Sequence, residues 1–458
     1  MSALDLPLRA QAAAIAAGEL DAGELLDACL ARIEERNPAI NAVVETFPER
    51  SREMLAAAPA GPLRGVPVVI KDEWPLPWRA QRFGAAQLPA PAQPTPAESG
   101  PYRALRDAGA VIVGVGNMHE LGSGSTGNVS VYGPARNPWD VERCPGGSSS
   151  GPAAATAARL VAGAVGADGL GSVRFPAAYC GLTGLKPTFG RAAMEGHHMA
   201  ATTTLIVSGP LCADAADCRL LGSALFGETI PAADAAGLRI GVVRDEVSED
   251  VTPEARAACE EAIEALRAET GGTVREIELA DLGAATLAAV LIINAESLAG
   301  VTPELLNDLD PAVSPVNRGF VKYRMLLPAA AIAQAQRLRT LMRRRLASLF
   351  ADVDLIAWPT IPAAAPPLDA PLVELPSGTQ TADQANVRGA ALANLTGIPA
   401  ISVPAGLGEA GLPLALQLQA AWGGDALLLE AAEALERANG RRWVETRPPL
   451  ARAEATGA

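Results

Sequence analysis

Two serines and a scarce lysine are the residues of this chain best suited to chemistry. Ser148 and Ser172 stand 24 residues apart (172 − 148) in a stretch rich in glycine, serine and alanine. Only Lys71, Lys186 and Lys322 are lysines among the 37 basic residues. Lysine can lose its proton where arginine cannot. A lysine kept in so arginine-rich a chain is therefore a candidate proton acceptor for a serine nucleophile.

A lysine acts as a base near neutral pH only if its surroundings lower its pKa from about 10.4 to about 7. That change takes roughly 4–5 kcal/mol of burial or charge effects. Lys71 follows the apolar run 66–70 and Lys186 follows small apolar residues, so either side chain could be desolvated. Lys322 is predicted at the surface. The residues alone leave Lys71 and Lys186 both open as the base.

Serine chemistry with a histidine fits the chain poorly. The segment 147–151 matches the Gly-x-Ser-x-Gly nucleophile elbow centred on Ser149, and that arrangement needs a histidine later in the chain. No histidine follows His198, and the residues before the segment show no strand pattern. We therefore exclude an elbow at Ser149.

Metal and nucleotide chemistry lack a motif. The histidines His119, His197 and His198 do not have the spacing of metal ligands and are interpreted as loop residues. The phosphate-binding Gly-x-x-x-x-Gly-Lys motif does not occur, and the segment 114–116 lacks the third glycine of the dinucleotide fingerprint. The sequence predicts no metal and no cofactor.

The segment Gly169-Leu-Gly-Ser172 could bring backbone N–H groups close to a reacting oxygen, because its small residues allow close approach. Each well-placed donor of such an oxyanion hole contributes roughly 2.7–4 kcal/mol. Runs of glycine, serine and alanine are more often segments of tight packing. Composition alone does not separate these two interpretations.

Composition and charge set the broad class of protein. Of 458 residues, 49% are hydrophobic and 19% charged, which is typical of a globular chain. A net charge of −14 argues against binding to nucleic acid or to an anionic membrane. Six scattered cysteines without a Cys-x-x-Cys motif predict free thiols in a reducing compartment. No signal peptide or apolar run of about 18 residues is apparent, so we expect a cytoplasmic protein.

The elements that must position these residues alternate between strand and helix, which predicts an α/β architecture. Predicted strands cover 65–71, 110–115, 238–243, 273–279, 354–358, 398–403 and 413–419. Predicted helices cover 22–37, 99–108, 152–165, 252–269, 329–350, 384–395 and 425–438.

Two motifs resemble the amidase signature family. They are Pro145-Gly-Gly-Ser-Ser-Ser-Gly151 and Gly166-Ala-Asp-Gly-Leu-Gly-Ser-Val-Arg174. Further matching blocks lie at 65–72, 117–120, 132–139, 358–360, 394–404 and 411–417, so that the resemblance covers roughly residues 10–440. It implies a single α/β/α sandwich domain around a large mixed β-sheet. We assign that domain to residues 61–445, after an N-terminal helical segment (1–60) packed on the core and before a C-terminal tail (446–458).

The resemblance also implies a Ser–cis-Ser–Lys triad. By motif position, Ser172 is the nucleophile, Ser148 is the bridging serine on a cis peptide bond, and Lys71 is the base. Lys186 then has a structural role. Asp168 and Arg174 are expected to form a pair that holds the serine loop.

The resemblance implies an oxyanion hole formed by the N–H groups of Gly169, Leu170 and Gly171, together with that of Ser172 itself. Leu170 stands where the family usually has glycine, so we expect a substrate preference unlike the family's usual one. The substrate-facing residues implied by the resemblance are Gly122, Ser123 and Ser125.

The function predicted is hydrolysis of C–N bonds in small-molecule amides or carbamates (urethanes), without metal or cofactor, by a monomer or homodimer. Apolar Leu170, Phe175, Trp74 and Trp78 would favour a hydrophobic or aromatic substrate group if they line the pocket. Two alternatives are kept. One is the catalytic A-type component of a glutamine-dependent tRNA amidotransferase, and the other is a non-enzymatic binding protein on the same fold.

Overall fold

Helices and strands alternate along most of the chain. The computed structural model describes residues 2–79, 81–86, 98–196, 203–298, 313–439 and 448–450. His197, His198 and most of the predicted C-terminal tail lie outside these residues. The described helices are α1 (Leu8–Ala17), α2 (Ala22–Ile40), α3 (Pro48–Ala57), α4 (Gly100–Asp107), α5 (Ser150–Ala157), α6 (Arg174–Cys180), α7 (Ala215–Phe226), α8 (Pro253–Thr270), α9 (Leu282–Leu298), α10 (Pro315–Arg324), α11 (Ala329–Leu349), α12 (Ala382–Thr396) and α13 (Asp425–Ala438).

Eleven of the described strands form one mixed sheet in the order β1-β3-β2-β4-β6-β5-β12-β13-β9-β7-β8. The strands are β1 (Val43–Thr46), β2 (Pro67–Lys71), β3 (Val111–Gly116), β4 (Gly163–Asp168), β5 (Thr183–Lys186), β6 (Val207–Cys212), β7 (Arg239–Val243), β8 (Thr273–Ile277), β9 (Leu355–Pro359), β12 (Ala400–Leu407) and β13 (Pro413–Ala420). A separate hairpin pairs β10 (Leu372–Leu375) with β11 (Gly378–Thr381).

Helices cover both faces of the large sheet, because successive strand residues pack into different cores. In β2, Val68 and Ile70 join one core and Val69 joins the other. Helices α4, α7, α8 and α13 pack on the first face. Helices α2 and α5 pack on the second face near β2, and α9, α11 and α12 pack there near β9. The predicted α/β/α sandwich is confirmed, and no described helix has an apolar stretch long enough to span a bilayer.

Helix α5 is shorter than the sequence predicted, because it ends at Ala157 and the residues from Gly163 onward form β4. Arg159 takes a positive φ of 59° just after the helix, which stops it. Strand β4 contains mainly glycine and alanine and is buried throughout. A short buried run of small residues cannot be assigned to helix or strand from periodicity.

The N-terminal segment also differs in detail from its predicted helices. Helix α2 continues through Pro38 to Ile40, and Asn37 Oδ1 then accepts the N–H groups of Ala42 and Val43 at 2.8 Å each. The segment contributes β1 to the edge of the large sheet, antiparallel to β3. The boundary at residue 60 stays a prediction.

Strands β3, β2 and β4 are parallel neighbours at the part of the sheet that matters for chemistry. Lys71 at the end of β2 pairs in register with Gly116, and Ile70 pairs with Val165. The carboxyl ends of these strands therefore lie side by side. Ligands of α/β sheets bind outside such ends, so the loops that follow the three strands are the natural place for a site.

Candidate active site

Lys71 reaches from the end of β2 to the loop that precedes α5. Its Nζ lies 2.8 Å from Ser148 Oγ and 3.4 Å from the carbonyl oxygen of Ala167 in β4. The lysine is only 1% exposed. The peptide bond between Gly147 and Ser148 is cis, as the resemblance implied. Two of the three predicted catalytic residues are thus in direct contact.

The surroundings of Lys71 favour its uncharged form. Burial lowers the pKa of Lys71, while the carboxylates of Glu73 and Asp168 act in the opposite direction. The result is a pKa below the usual value for lysine. This is the direction that a base working near neutral pH requires.

Ser172 lies in the loop between β4 and α6, partly exposed to the cavity that Lys71 and Ser148 also line. The N–H of Ser149 donates to the carbonyl oxygen of Ser172 over 3.2 Å, which fastens the two serine loops together. The Ser149 side chain points elsewhere, since its Oγ donates to the carbonyl of Ala167 at 3.3 Å and is buried. One cavity therefore unites Lys71, Ser148 and Ser172.

Lys186 is the other lysine that the sequence left open. Its Nζ donates to the carbonyl of Pro187 at 2.7 Å, and its side chain does not line the cavity. Burial lowers the pKa of Lys186 to about 7. The geometry thus favours Lys71 as the base, and Lys186 is a buried lysine of β5 with a lowered pKa.

Lys186 should make stability depend on pH. Between pH 7 and about 10.4 the unfolded chain binds a proton at this residue that the native chain does not bind, so stability rises with pH. Lys186→Met lacks this contribution. Between about pH 7.5 and 9, the free energy of unfolding of the wild type should therefore rise by about 2 kcal/mol relative to that of Lys186→Met. Urea unfolding at both pH values measures this, with surface Lys322→Met as the control; a difference that stays constant would contradict it.

Arg174 and Asp168 form the predicted structural pair, since both are fully buried and the guanidinium lies 2.9 Å from Asp168 Oδ1. Burial alone would raise the pKa of Asp168, but Arg174 holds it well below its usual range. Arg174 also donates to Asn394 Oδ1 at 2.6 Å, to the carbonyl of Ala390 at 2.9 Å, and to Gln417 Oε1. The serine loop is thereby tied to α12 and β13.

The oxyanion loop differs at one position from what the resemblance implied. The N–H of Gly171 donates to Asp168 Oδ1 at 2.8 Å, so it is already engaged. The N–H groups of Gly169, Leu170 and Ser172 donate to no residue in the part of the chain that the structure describes. They are the better candidates for binding a developing negative charge.

Gly171 is nevertheless required by its conformation. Its φ is +121°, and an added Cβ would lie 2.2 Å from the Phe175 ring. Gly171→Ala should lower the free energy of unfolding by about 2–5 kcal/mol through backbone strain and overcrowding. Chemical denaturation measures the loss. Gly378→Ala is the matched control, because Gly378 has a φ of +114° with nothing within 4 Å; equal losses would show that the Phe175 contact is unimportant.

The predicted substrate-facing residues Gly122, Ser123 and Ser125 all line the cavity. Ser125 Oγ donates to Asp383 Oδ1 at 2.8 Å, which fixes this loop to the first turn of α12. Ser123 Oγ accepts a hydrogen bond of 3.0 Å from Arg324.

The cavity has a volume of about 560 Å³ and mainly apolar walls. Leu170 and Phe175 line it as expected, whereas Trp74 and Trp78 pack into the core beneath β2. Helix α9 supplies much of the opposite wall, and Ile293 lies close to Gly169.

Sequence reasoning missed four charged residues of the cavity, which are Glu73, Arg324, Asp383 and Arg388, the last of them paired with Asp250. Glu73 had an available signal, because it follows Lys71 by only two residues, directly after the end of β2. Arg324 is partly exposed and donates to Ser123 and Ser297, and no acidic side chain pairs with it among the residues that the structure describes. Nothing local in the sequence places Arg324 or Asp383 near the serines, since both come from distant helices.

Among the residues that the structure describes, the cysteines and His119 do not form a second centre. All six cysteines are buried free thiols. His119 is buried and accepts from the N–H of Gly127. Within the described ranges, no group of three potential metal ligands is found. The prediction that no metal or cofactor is needed stays a prediction.

Comparison with known proteins agrees with the fold. The amidase family model matches residues 24–429, and the chain belongs to this family, as the amidase signature motifs predicted. It is accordingly an enzyme that hydrolyses C–N bonds.

Individual relatives resemble the chain along nearly its whole length. One is a glutamyl-tRNA(Gln) amidotransferase component from Geobacter metallireducens, which is 34% identical over 473 aligned positions that cover 92% of this chain and 94% of the relative. The crystal structure of an amidase superposes with a TM-score of 0.87 at 30% identity, over 94% of this chain and 99% of the other. A 6-aminohexanoate cyclic dimer hydrolase gives a TM-score of 0.84 at 28% identity, over 98% and 99%.

Proposed function

We propose that this chain hydrolyses the C–N bond of small-molecule amides or carbamates through a covalent serine intermediate. Ser172 is the nucleophile, Ser148 relays protons, and Lys71 is the base. The observation that carries the proposal is the 2.8 Å contact between buried Lys71 and Ser148 beside a cavity that Ser172 also lines. A hydroxyl nucleophile needs such a partner to remove its proton.

In the proposed reaction, protons move from Ser172 towards Lys71 during attack and return towards the leaving nitrogen during collapse. Ser172 Oγ bonds to the substrate carbonyl carbon, while its proton passes to Ser148 and the Ser148 proton passes to Lys71 Nζ. The carbonyl π electrons move to the oxygen. When the tetrahedral intermediate collapses, the C–N bond breaks and the nitrogen receives the proton back through Ser148. Water then attacks the acyl- or carbamoyl-enzyme by the same route.

The developing oxyanion is assigned to the loop between β4 and α6. The N–H groups of Gly169, Leu170 and Ser172 have no acceptor among the described residues, which leaves them available to a substrate oxygen. A well-placed donor of this kind contributes roughly 2.7–4 kcal/mol to the transition state. Asp168 supports the loop from behind through the N–H of Gly171.

The substrate class follows from the cavity walls. Leu170, Phe175 and the apolar residues of α9 favour a hydrophobic or aromatic acyl or amine group. Leu170 belongs to the oxyanion loop and also lines the cavity, so its side chain limits the size of the substrate group next to the carbonyl.

Two measurements test the proposal. A fluorophosphonate probe should label Ser172, located by peptide mass spectrometry, and purified protein should hydrolyse members of a panel of anilides, primary amides, esters and aryl carbamates. Absence of both labelling and hydrolysis would favour a binding protein on the same fold. Labelling with turnover of carbamates alone would narrow the function to a urethanase.

A second candidate is the catalytic component of a tRNA amidotransferase, and the relatives that carry this name favour it. The cavity walls also include the positively charged Arg324 and the negatively charged Asp383. These two side chains suit an amide donor such as glutamine, which carries both an α-carboxylate and an α-ammonium group. Purified chain that turns over aryl amides or carbamates without added partner chains would count against this candidate. Glutamine hydrolysis that appears only with partner chains would support it.

The remaining assignments are proposals of the same kind. We expect a cytoplasmic monomer or homodimer with no bound cofactor, in which residues 61–445 form the catalytic domain. Size-exclusion chromatography with light scattering measures the oligomeric state.

A further inference from the structure

We propose that Glu73 is a fourth member of the proton relay, a positioning residue that aims the lone pair of Lys71 at Ser148 and stabilises the ammonium formed when Lys71 takes the proton. This inference rests on the proposed function of Lys71. Glu73 lies just outside the matching block 65–72, and the resemblance implies no role for it.

The turn that follows β2 brings Glu73 back to Lys71. The N–H of Trp74 donates to the carbonyl of Lys71 at 3.1 Å and closes this turn. Glu73 Oε2 then lies 2.9 Å from Lys71 Nζ, and Glu73 is only 5% exposed. Gly122 faces both groups, since a Cβ there would lie 3.6 Å from Ser148 Oγ and 4.0 Å from Glu73 Oε2. The carboxylate is thus part of the same enclosed corner as the serine.

The neighbours of Lys71 Nζ determine where its lone pair points. They are Ser148 Oγ, Glu73 Oε2 and the carbonyl oxygen of Ala167. A carbonyl and an ionised carboxylate can only accept hydrogen bonds, and a hydroxyl can donate. The two hydrogens of a neutral amine therefore go to Ala167 and Glu73. The lone pair is left facing the Ser148 hydroxyl, which is the orientation that proton transfer requires.

Proton transfer then completes the set of donors. When the O–H bond of Ser148 breaks, Ser148 recovers the proton of Ser172, and Lys71 becomes an ammonium with three N–H groups. Each of these has an acceptor already in place. The negative charge of Glu73 compensates the new positive charge, just as the carboxylate of a Ser-His-Asp triad stabilises its imidazolium.

Other charged groups also face Lys71. Asp168 at the end of β4 also stabilises the ammonium, but its charge is farther from Lys71. Arg174 keeps Asp168 ionised. His119, in the loop after β3, is also within electrostatic reach of Lys71, and burial lowers its pKa. Asp383 and Glu120 act on His119 rather than on Lys71. Glu73 is therefore the nearest charge whose removal changes the proton affinity of Lys71.

Glu73→Gln keeps the shape of the side chain and removes its charge. An opposite charge at this distance raises the pKa of a lysine, so the variant should show an acid limb of kcat/KM shifted to lower pH by about 1 unit or more. Its plateau kcat/KM should fall about 10²-fold, because the ammonium in the transition state loses its counter-charge. KM should change little. Glu73→Asp should restore part of the rate.

The scarcity of lysine allows the same shift to be measured without turnover. Selective ¹³C labelling of lysine gives three Cε signals, and Lys71→Met assigns one of them. NMR titration should show Lys71 losing its proton at lower pH in Glu73→Gln than in the wild type. Glu436→Gln is the control, because Glu436 has a pKa raised by burial to about 8 and lies on α13 away from the cavity.

The outcomes separate this inference from the proposed function. An unchanged Lys71 titration in Glu73→Gln, or a shift equal to that in Glu436→Gln, overturns the role of Glu73. A shifted titration together with a lowered plateau supports it. Failure of the wild type to hydrolyse any substrate overturns the proposed function itself, and with it the relay.

Discussion

Ser172→Ala should abolish turnover, with kcat/KM lowered by about 10⁵-fold or more. The substitution removes the oxygen that bonds to the substrate carbon. It should leave the fold intact, because Ser172 is partly exposed in the cavity and its loop is held by Asp168 and Arg174. Steady-state kinetics on the best substrate of the panel, together with thermal unfolding, measures both expectations.

Ser149→Ala is the control for this prediction. Ser149 is the serine that the nucleophile-elbow motif would select, yet its Oγ is buried against Ala167. Its loss should cost about 1 kcal/mol of stability and leave most of the turnover. The reverse pattern, an active Ser172→Ala and an inactive Ser149→Ala, would refute the assignment of the nucleophile.

Lys71→Arg should be almost as damaging as Lys71→Ala, with each lowering kcat/KM by about 10⁴-fold. Arginine keeps the positive charge but cannot give up a proton near neutral pH. The guanidinium could also pair with Glu73, which lies beside Lys71, so the variant should be folded and inactive. This outcome distinguishes a base from a residue that is needed only for its charge.

The matched control is Lys322→Arg, at an exposed position of α10. It makes the same chemical exchange and should retain wild-type kinetics. A Lys71→Arg variant with substantial activity over the neutral range would rule out Lys71 as the proton acceptor.

Much of the fold could be predicted from the sequence, because its strands and helices carry the expected periodicities. The predicted bounds of strands β2 and β3 agree with the structure to within two residues at each end. The predicted helix 152–165 overlaps the first three residues of strand β4, because a run of glycine and alanine has no period that distinguishes helix from strand. The small residues of β4 are explained only by the sheet, where Gly166 leaves room for Ser149 to approach within contact distance.

The catalytic side of the candidate site could be predicted from the sequence, whereas the opposite wall of the cavity could not. Lys71 ends strand β2, Ser148 and Ser172 lie in loops that follow the neighbouring parallel strands, and the residue types of all three drew attention to them. The opposite wall is built by α9, α10 and α12, whose residues carry no local sign of facing a serine. Arg324 stands beside a lysine predicted at the surface, and only the packing of α10 shows that Arg324 turns inward.

The hydrogen bonds of Arg174 to distant parts of the chain determine when the protein can become active during synthesis. Arg174 bonds to Ala390, Asn394 and Gln417, which lie 216, 220 and 243 residues further along the chain. A polypeptide still growing on the ribosome contains both serines and the lysine long before it contains these partners. The nucleophile loop therefore gains its full support only after residue 417 of 458 has been made. Prematurely terminated chains should be inert, however complete their catalytic residues.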